Sequence, residues 1–552
     1  MCNTFQTIVA IFALALLGSN ATVFAQALTI VSTSPTQNEL NVSVNTNISV
    51  TFDVDMDSTT INDTTFVVNA RSTGLHTGTI VYDSLTKTAT FDPTEDFDIG
   101  EVVTVVLTTD IQSSQGVPLN RSYIWSFTIV VNGGTGTFVV SSAYPVGSFP
   151  TSVFAADLDD DGDLDLATAN GLADSTTSVL LNNGNGTFGP HSVYPVGLMP
   201  LSVFAADLDA DGDLDLTTAN SASDNVSVLL NNGNGTFASH SVYPVAHMSI
   251  SVFAADLDGD GDLDLVTGTI YEEVSVTIND GDATFDPHSD YPSGAVGEEL
   301  FAADLDGDGD LDLTIADAGL LAGTEVSVMM NNGDGTFSSY SLYPVGIAPR
   351  SVFAADLDGD GDLDLATPNY HSDDVSVLLN NGDGTFGSQS VYPVGGGPLR
   401  VFAADLDGDS DLDLAITNGG SDDVSVLLNN GNGTFAPHSV YPVATGPVSV
   451  FAADLDGDGD IDLATANGGS NNVSVLLNQG TFICGDGNND GEGPNVVDLI
   501  YLVDYLYFDG PPPPIMEAAN VDGIGGINVA DLTYLVEYLF FGGPEPDCQP
   551  IQ

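Results

Sequence analysis

Residues 356–364 read Asp356-Leu357-Asp358-Gly359-Asp360-Gly361-Asp362-Leu363-Asp364, five carboxylates within nine residues. Two like charges about 4 Å apart near a protein surface repel by about 4 kcal/mol, so such a run calls for a cation. Ser351-Val352-Phe353-Ala354-Ala355 precedes it and Leu365-Ala366-Thr367 follows, both patterned as strands. The whole segment recurs, with its first Asp at 157, 207, 256, 304, 356, 405 and 454, at a spacing of 48 to 52 residues. Each copy also holds Val-Ser-Val-Leu-Leu, an Asn-Gly or Asp-Gly turn, Thr-Phe and Ser-Val-Tyr-Pro-Val, or close variants, which makes four short strands per unit. A single four-stranded sheet cannot cover both of its apolar faces. Seven such units therefore predict a closed ring, a seven-bladed β-propeller over residues 137–482. Thr-Phe occurs eight times, from Phe138 to Phe482, so the two ends overlap by one element where the ring closes.

Calcium suits these loops, because it takes six to eight hard oxygen ligands in a flexible shell. Positions 1, 3, 5 and 9 offer carboxylates and position 7 its backbone carbonyl, while a Gly at position 6 permits the tight turn. The candidate metal residues are Asp157, Asp159, Asp161, Asp163 and Asp165 in the first copy and Asp207, Asp209, Asp211, Asp213 and Asp215 in the second. Asp256, Asp258, Asp260, Asp262 and Asp264 follow, then Asp304, Asp306, Asp308, Asp310 and Asp312, then Asp356, Asp358, Asp360, Asp362 and Asp364. The last two sets are Asp405, Asp407, Asp409, Asp411 and Asp413, and Asp454, Asp456, Asp458, Asp460 and Asp462. The sixth copy has Ser410 where the others have Gly, so it is expected to bind most weakly. An EF-hand would need an acid at position 12, which is Thr367 in the fifth copy. The loops resemble the integrin-like FG-GAP and VCBS repeats, and the resemblance spans residues 137–482. It implies structural calcium, about seven ions in the propeller, and no catalytic role for the metal.

The chain carries 78 acidic and five basic side chains, a formal charge of -73, which excludes nucleic acid as a partner and disfavours anionic membranes. A hydrophobic content of 42% still allows a buried core. Residues 1–25 hold an apolar run and a small-residue cleavage site at Ala25, which predicts a signal peptide, secretion to the extracellular space or cell surface, and no membrane insertion after cleavage. Cys484 and Cys548 are the cysteines beyond that segment, and in an oxidising compartment they are expected to pair.

Residues 27–131 alternate apolar and polar positions and end on Trp125-Ser126-Phe127-Thr128, a β-sandwich pattern that resembles a bacterial Ig-like domain of the SbsA type. Trp125 reads as core. Residues 484–548 repeat a Gly- and Asp-rich loop followed by an amphipathic segment, Asp498 to Phe508 and Asp531 to Phe541. This duplication resembles a dockerin. The resemblance implies up to two weaker calcium sites, from Asp486, Asn488, Asp490 and Asp498 and from Asn520, Asp522 and Asp531, and a cohesin partner. The fold expected is therefore mainly β: a seven-bladed propeller preceded by an Ig-like sandwich and followed by a small α-helical dockerin-like domain.

With strands A to D in chain order, the calcium loops join A to B and share a rim with the turns joining C to D. The B to C and D to A loops vary most between copies and lie on the other rim, where recognition is expected. Arg350, Arg400, Tyr271, Tyr370 and His371 are its candidate ligand residues, with Phe149, Met199, His247 and Met248 beside them. No nucleophile elbow, zinc motif or phosphate loop is present, so no catalytic site is expected. The expected function is secreted, calcium-dependent adhesion or recognition of extracellular carbohydrate or a surface protein, tethered by the dockerin-like end. The alternatives are a component, catalytic or not, of a polysaccharide-degrading complex of the cellulosome kind, or a structural protein of the envelope or matrix.

Overall fold

The computed structural model describes residues 28–131, 133–171, 174–319, 323–480, 494–508, 519–521, 527–541, 543–544 and 546. The proposed signal peptide, Cys484, Cys548 and Phe482 lie outside them.

The first domain is a two-sheet sandwich. Ile30–Ser34, Ile48–Phe52, Thr88–Pro93 and Gly78–Asp83 form one sheet. Glu39–Val42, Tyr123–Ile129, Val102–Leu107, Phe66–Ala70 and Gly74–Leu75 form the other. Alternating side chains from both sheets, among them Ile48, Val50, Phe52, Phe66, Phe91 and Phe127, close over Trp125, which is only 1% exposed.

Seven four-stranded antiparallel sheets follow. The first blade runs Pro150–Ala156, Asp165–Asn170, Thr176–Leu180 and Ser192–Pro195, with each strand hydrogen-bonded to the next. Strand B is buried along its whole length in every blade except at Asp317, the end of that strand in the fourth. Small residues such as those of Asp-Leu-Ala-Thr-Ala-Asn fit there because neighbouring blades press on both faces. Strand D, Ser-Val-Tyr-Pro in most blades, forms the outer edge and is mostly exposed. The seventh sheet takes Pro447–Ala453, Asp462–Asn467 and Asn472–Asn478 from the end of the repeat and Phe138–Pro145 from its beginning, and this pairing shuts the ring.

Two aromatic systems hold the wheel. Around the axis, Phe154, Phe204, Phe253, Phe301, Phe353, Phe402 and Phe451 form an unbroken circle with neighbouring centroids 4.7 to 5.2 Å apart. Near the circumference, the tyrosine of each strand D meets the Thr-Phe ring of the next blade edge-on, as in Tyr144 on Phe188 and Tyr441 on Phe138.

Two helices, Val496–Tyr507 and Val529–Phe541, complete the described chain. Each begins with the same device. The amide of Asn495 donates to Asp498 and that of Asn528 to Asp531, both at 2.8 Å, and both aspartates are fully buried.

Candidate metal centres and binding rim

Each Asp-rich segment is a loop between strands A and B, closed by its own carboxylates. In the fifth blade the position-1 carboxylate, Asp356, accepts from the amides of Gly359 at 2.8 Å and Gly361 at 2.9 Å, which curls the loop around it. Asp360 at position 5 accepts from the amide of Asp362 at 3.0 Å. Asp364 at position 9 bridges two segments, accepting from Leu357 of the loop at 3.1 Å and from Asn380 of the C to D turn at 2.8 Å. The position-7 carboxylate turns away and lies over that turn. In the first blade a Cβ on Gly184 would fall 2.5 Å from Asp163 Oδ2.

The result is a nest of oxygens. One oxygen each from Asp157, Asp159 and Asp165 lie within 4.8 Å of one another, as do those of Asp207, Asp209 and Asp215. In the third, fourth and fifth blades the same holds for positions 1, 3 and 5: Asp256 with Asp258 and Asp260, Asp304 with Asp306 and Asp308, and Asp356 with Asp358 and Asp360. One position-3 oxygen is buried without a hydrogen-bond donor in five blades, at Asp159, Asp209, Asp358, Asp407 and Asp456. A buried acceptor with no donor, facing other carboxylates, is what a hard cation would satisfy. Burial, with like charges behind it, pushes Asp165, Asp215, Asp312 and Asp413 up to about 8 and Asp264 to about 9. Asp462 is also raised, by the same two causes.

Two features of these loops were not legible in advance. Position 4, like position 6, has a left-handed backbone, so Asp160 and Ala210 sit at φ +59 and +58 where other blades have Gly. The second feature is a ring of seven buried asparagines at the start of the C to D turns: Asn182, Asn231, Asn279, Asn331, Asn380, Asn429 and Asn478. Each side-chain amide donates to its own loop and to the loop of the preceding blade. Asn182, for example, holds the carbonyls of Leu164 and Leu455, both at 2.9 Å.

The sandwich sits on this same rim. Gln37 donates to Asp304 at 2.7 Å, Asn38 to the Gly361 carbonyl at 2.8 Å, and Asp157 donates its amide to the Ser72 carbonyl at 3.0 Å. Arg121 reaches Asp308 at 2.8 Å and Asp310 at 3.1 Å.

The opposite rim carries two separate clusters. Tyr271, about half exposed, stacks on His247 with ring centres 5.5 Å apart, and its hydroxyl faces the Met248 sulfur at 3.8 Å. Two blades away, the Arg350 guanidinium lies 5.1 Å from the Tyr370 ring, and His371 meets Tyr370 edge-on. Arg400 is displaced from its expected loop. It lies within strand Pro398–Ala404, at the position of Ser351 and Ser449 in neighbouring blades, and pairs with Glu299 at the mouth of the axial channel. Its side chain follows the strand's alternation toward the axis, which spacing from the loop alone did not reveal. Phe149, Met199 and Met248 hold left-handed backbones at φ +56 to +59, where the sixth and seventh blades have Gly397 and Gly446.

The histidines just ahead of strand D have local partners. His191, His240 and His288 each place Nδ1 within 2.7 to 3.0 Å of a strand C serine, Ser178, Ser227 and Ser275. At the C-terminal end, Asp486, Asn488, Asp490 and Asp522 lie outside the described residues, while Asn520 is buried. Among the described residues no helix is long and apolar enough to cross a membrane.

Residues 25–129 match the bacterial Ig-like domain, and residues 157–218, 207–267, 256–315, 304–367, 369–416 and 405–465 match the FG-GAP-like repeat. No curated protein matches the chain. Among solved structures, a lectin of Agrocybe aegerita, described as recognising non-reducing terminal N-acetylglucosamine, is 22% identical, with 75% of this chain and 98% of that chain covered and a TM-score of 0.39. Hydrazine synthase of Kuenenia stuttgartiensis is 17% identical over 62% of this chain and 98% of that chain, with a TM-score of 0.43. Virginiamycin B lyase of Staphylococcus aureus is 12% identical over the same shares, with a TM-score of 0.41.

Proposed function

This chain belongs to the FG-GAP-like repeat family, and from that premise we propose that it is an extracellular calcium-binding adhesion or recognition protein without a catalytic site. Its loops hold structural calcium, with carboxylates from positions 1, 3, 5 and 9 as the ligands and the position-7 carbonyl completing the shell. Bound there, calcium neutralises the nest and satisfies the orphaned position-3 oxygens.

One observation carries the recognition reading: the Ig-like sandwich covers the calcium rim, and this leaves the other rim for a partner. That free rim presents Tyr271 beside His247, Tyr370 beside Arg350 and His371, and exposed Phe149, Leu198 and Met199. A bulky residue held in the left-handed region costs about 1–2 kcal/mol relative to Gly, and such strain gathers at binding sites. Aromatic rings with flanking polar tips suit the faces of sugars or a protein surface, so the ligand class is extracellular carbohydrate or a surface protein. The paired C-terminal helices, each opened by an Asn and a buried Asp, serve as a dockerin-like tether for a cohesin.

The test is a screen of the full chain against glycans and surface proteins with calcium and again after chelation. Calcium-dependent binding that Tyr271→Ala or Tyr370→Ala weakens at least tenfold supports this reading. Turnover of a glycan by the pure protein, or binding indifferent to both substitutions, overturns it.

A further inference from the structure

One of the chain's five basic side chains, Arg71, is placed where no acid among the described residues pairs with it. Arg71 is at the tip of the sandwich hairpin that follows strand Phe66–Ala70, and this tip enters the wheel through the calcium rim. Its amide donates to the Val102 carbonyl at 3.0 Å. Glu101 braces the tip, its Oε1 accepting from the amides of Ser72 at 2.9 Å and Thr73 at 2.8 Å. The guanidinium carbon then lies 5.3 to 6.0 Å from the ring centres of Phe154, Phe301, Phe353, Phe402 and Phe451.

Beyond the phenylalanine circle the channel continues as a cavity of about 60 Å³, lined by Arg71, the serines Ser152, Ser202, Ser251 and Ser449, and the Glu299 and Arg400 pair. Glu299 and Arg400 neutralise each other. Arg71 is left with one uncompensated positive charge, and its Nε is buried without an acceptor.

A guanidinium has five N–H donors, and a buried charge with no counterion is costly. Phenylalanine faces offset part of that cost, but they accept no conventional hydrogen bond. Burial lowers the Arg71 pKa only to about 10, so the charge persists at neutral pH. Water alone supplies acceptors without supplying the missing charge.

We propose that the axial cavity is an anion site, in which Arg71 and the serine hydroxyls hold one halide-sized monovalent anion such as chloride. Water fills the remainder and reaches Glu299 Oε2 and Ser251 Oγ, both buried without a hydrogen-bond partner. The site joins the sandwich to the wheel, because the sandwich supplies its cation and the wheel its walls.

Bromide is the probe. Crystals of the full chain grown in bromide are expected to show an anomalous peak in the axial cavity beside the phenylalanine circle, within hydrogen-bond reach of Arg71. In solution at fixed ionic strength and calcium, replacing isethionate by bromide is expected to raise the Tm by about 2–4 °C. Arg71→Met is expected to abolish that difference. Water at this position with no anomalous signal, or a bromide effect that persists in Arg71→Met, overturns the proposal. If that variant fails to fold, the wild-type anomalous map decides alone.

Discussion

Asn231 donates its side-chain amide to the carbonyl of Leu158, a residue of the preceding blade's calcium loop, at 2.9 Å. The same amide reaches Leu214 in its own loop, also at 2.9 Å. The carbonyls concerned would otherwise be left without this donor, and an unmade buried hydrogen bond costs about 1–3 kcal/mol. Asn231→Ala is expected to lower the stability of the calcium-loaded protein by about 2–4 kcal/mol in chemical denaturation. Asn232→Ala, which removes only exposed contacts to Thr236, is expected to cost less than about 1 kcal/mol.

The sixth loop carries a defect that one substitution repairs. Ser410 has φ +84, in the region that favours Gly, and Gly361 at the matching place in the fifth loop has φ +93. Ser410→Gly is expected to stabilise the protein by about 1 kcal/mol in denaturant titration and to tighten calcium binding at that loop. Gly361→Ser is expected to do the reverse by a similar amount.

Docking of the sandwich depends on one close approach. A Cβ at Gly259 would fall 1.7 Å from Ser122 Oγ, and Gly259 itself has φ +77. Gly259→Ala is therefore expected to lift the sandwich locally, at a cost of about 1–3 kcal/mol. Limited proteolysis between residues 131 and 137 reads the effect, with faster cleavage in the variant.

The acidity of the loops predicts an unusual pH profile for metal-free protein. Asp165, Asp215, Asp312 and Asp413 are raised to about 8 in the folded chain, against about 3.9 for an unfolded aspartate. Between those values the unfolded chain has released protons that the folded chain still holds. Stability of metal-free protein therefore falls as pH rises from about 4 to about 8, then levels. Calcium needs the deprotonated form, so the gain in Tm from added calcium grows over the same window. Melting curves across this range, with and without calcium, check both trends. A metal-free Tm that climbs with pH contradicts the assignment.

Much of the architecture was legible because it repeats. The string Val-Phe-Ala-Ala-Asp marks strand A and its loop six times, with Leu300 in place of Val in the fourth blade, and the extra Thr-Phe at Phe138, ahead of the first loop, points to the strand that closes the ring. The asparagine ring was written in the same repeat, but its role joins residues 71 to 75 positions apart between successive blades, as from Asn380 to Leu305, and 273 apart where the ring closes, from Asn182 to Leu455. Arg71 and Glu299 were not legible at all. Each is a single residue, and its role depends on how a sandwich hairpin or a blade faces the axis, a long-range placement that no local pattern encodes. Arg400 follows a loop-like run, Gly395-Gly396-Gly397, yet strand A there already begins at Pro398.

Calcium counting on the full chain tests the central claim most directly. Metal-free protein dialysed to equilibrium against buffered calcium is analysed for bound metal, with its radius followed by small-angle scattering. The seven loops predict about seven ions in the wheel, and a compact particle that expands when they are stripped. Negligible calcium uptake by a chain that stays equally compact would contradict it.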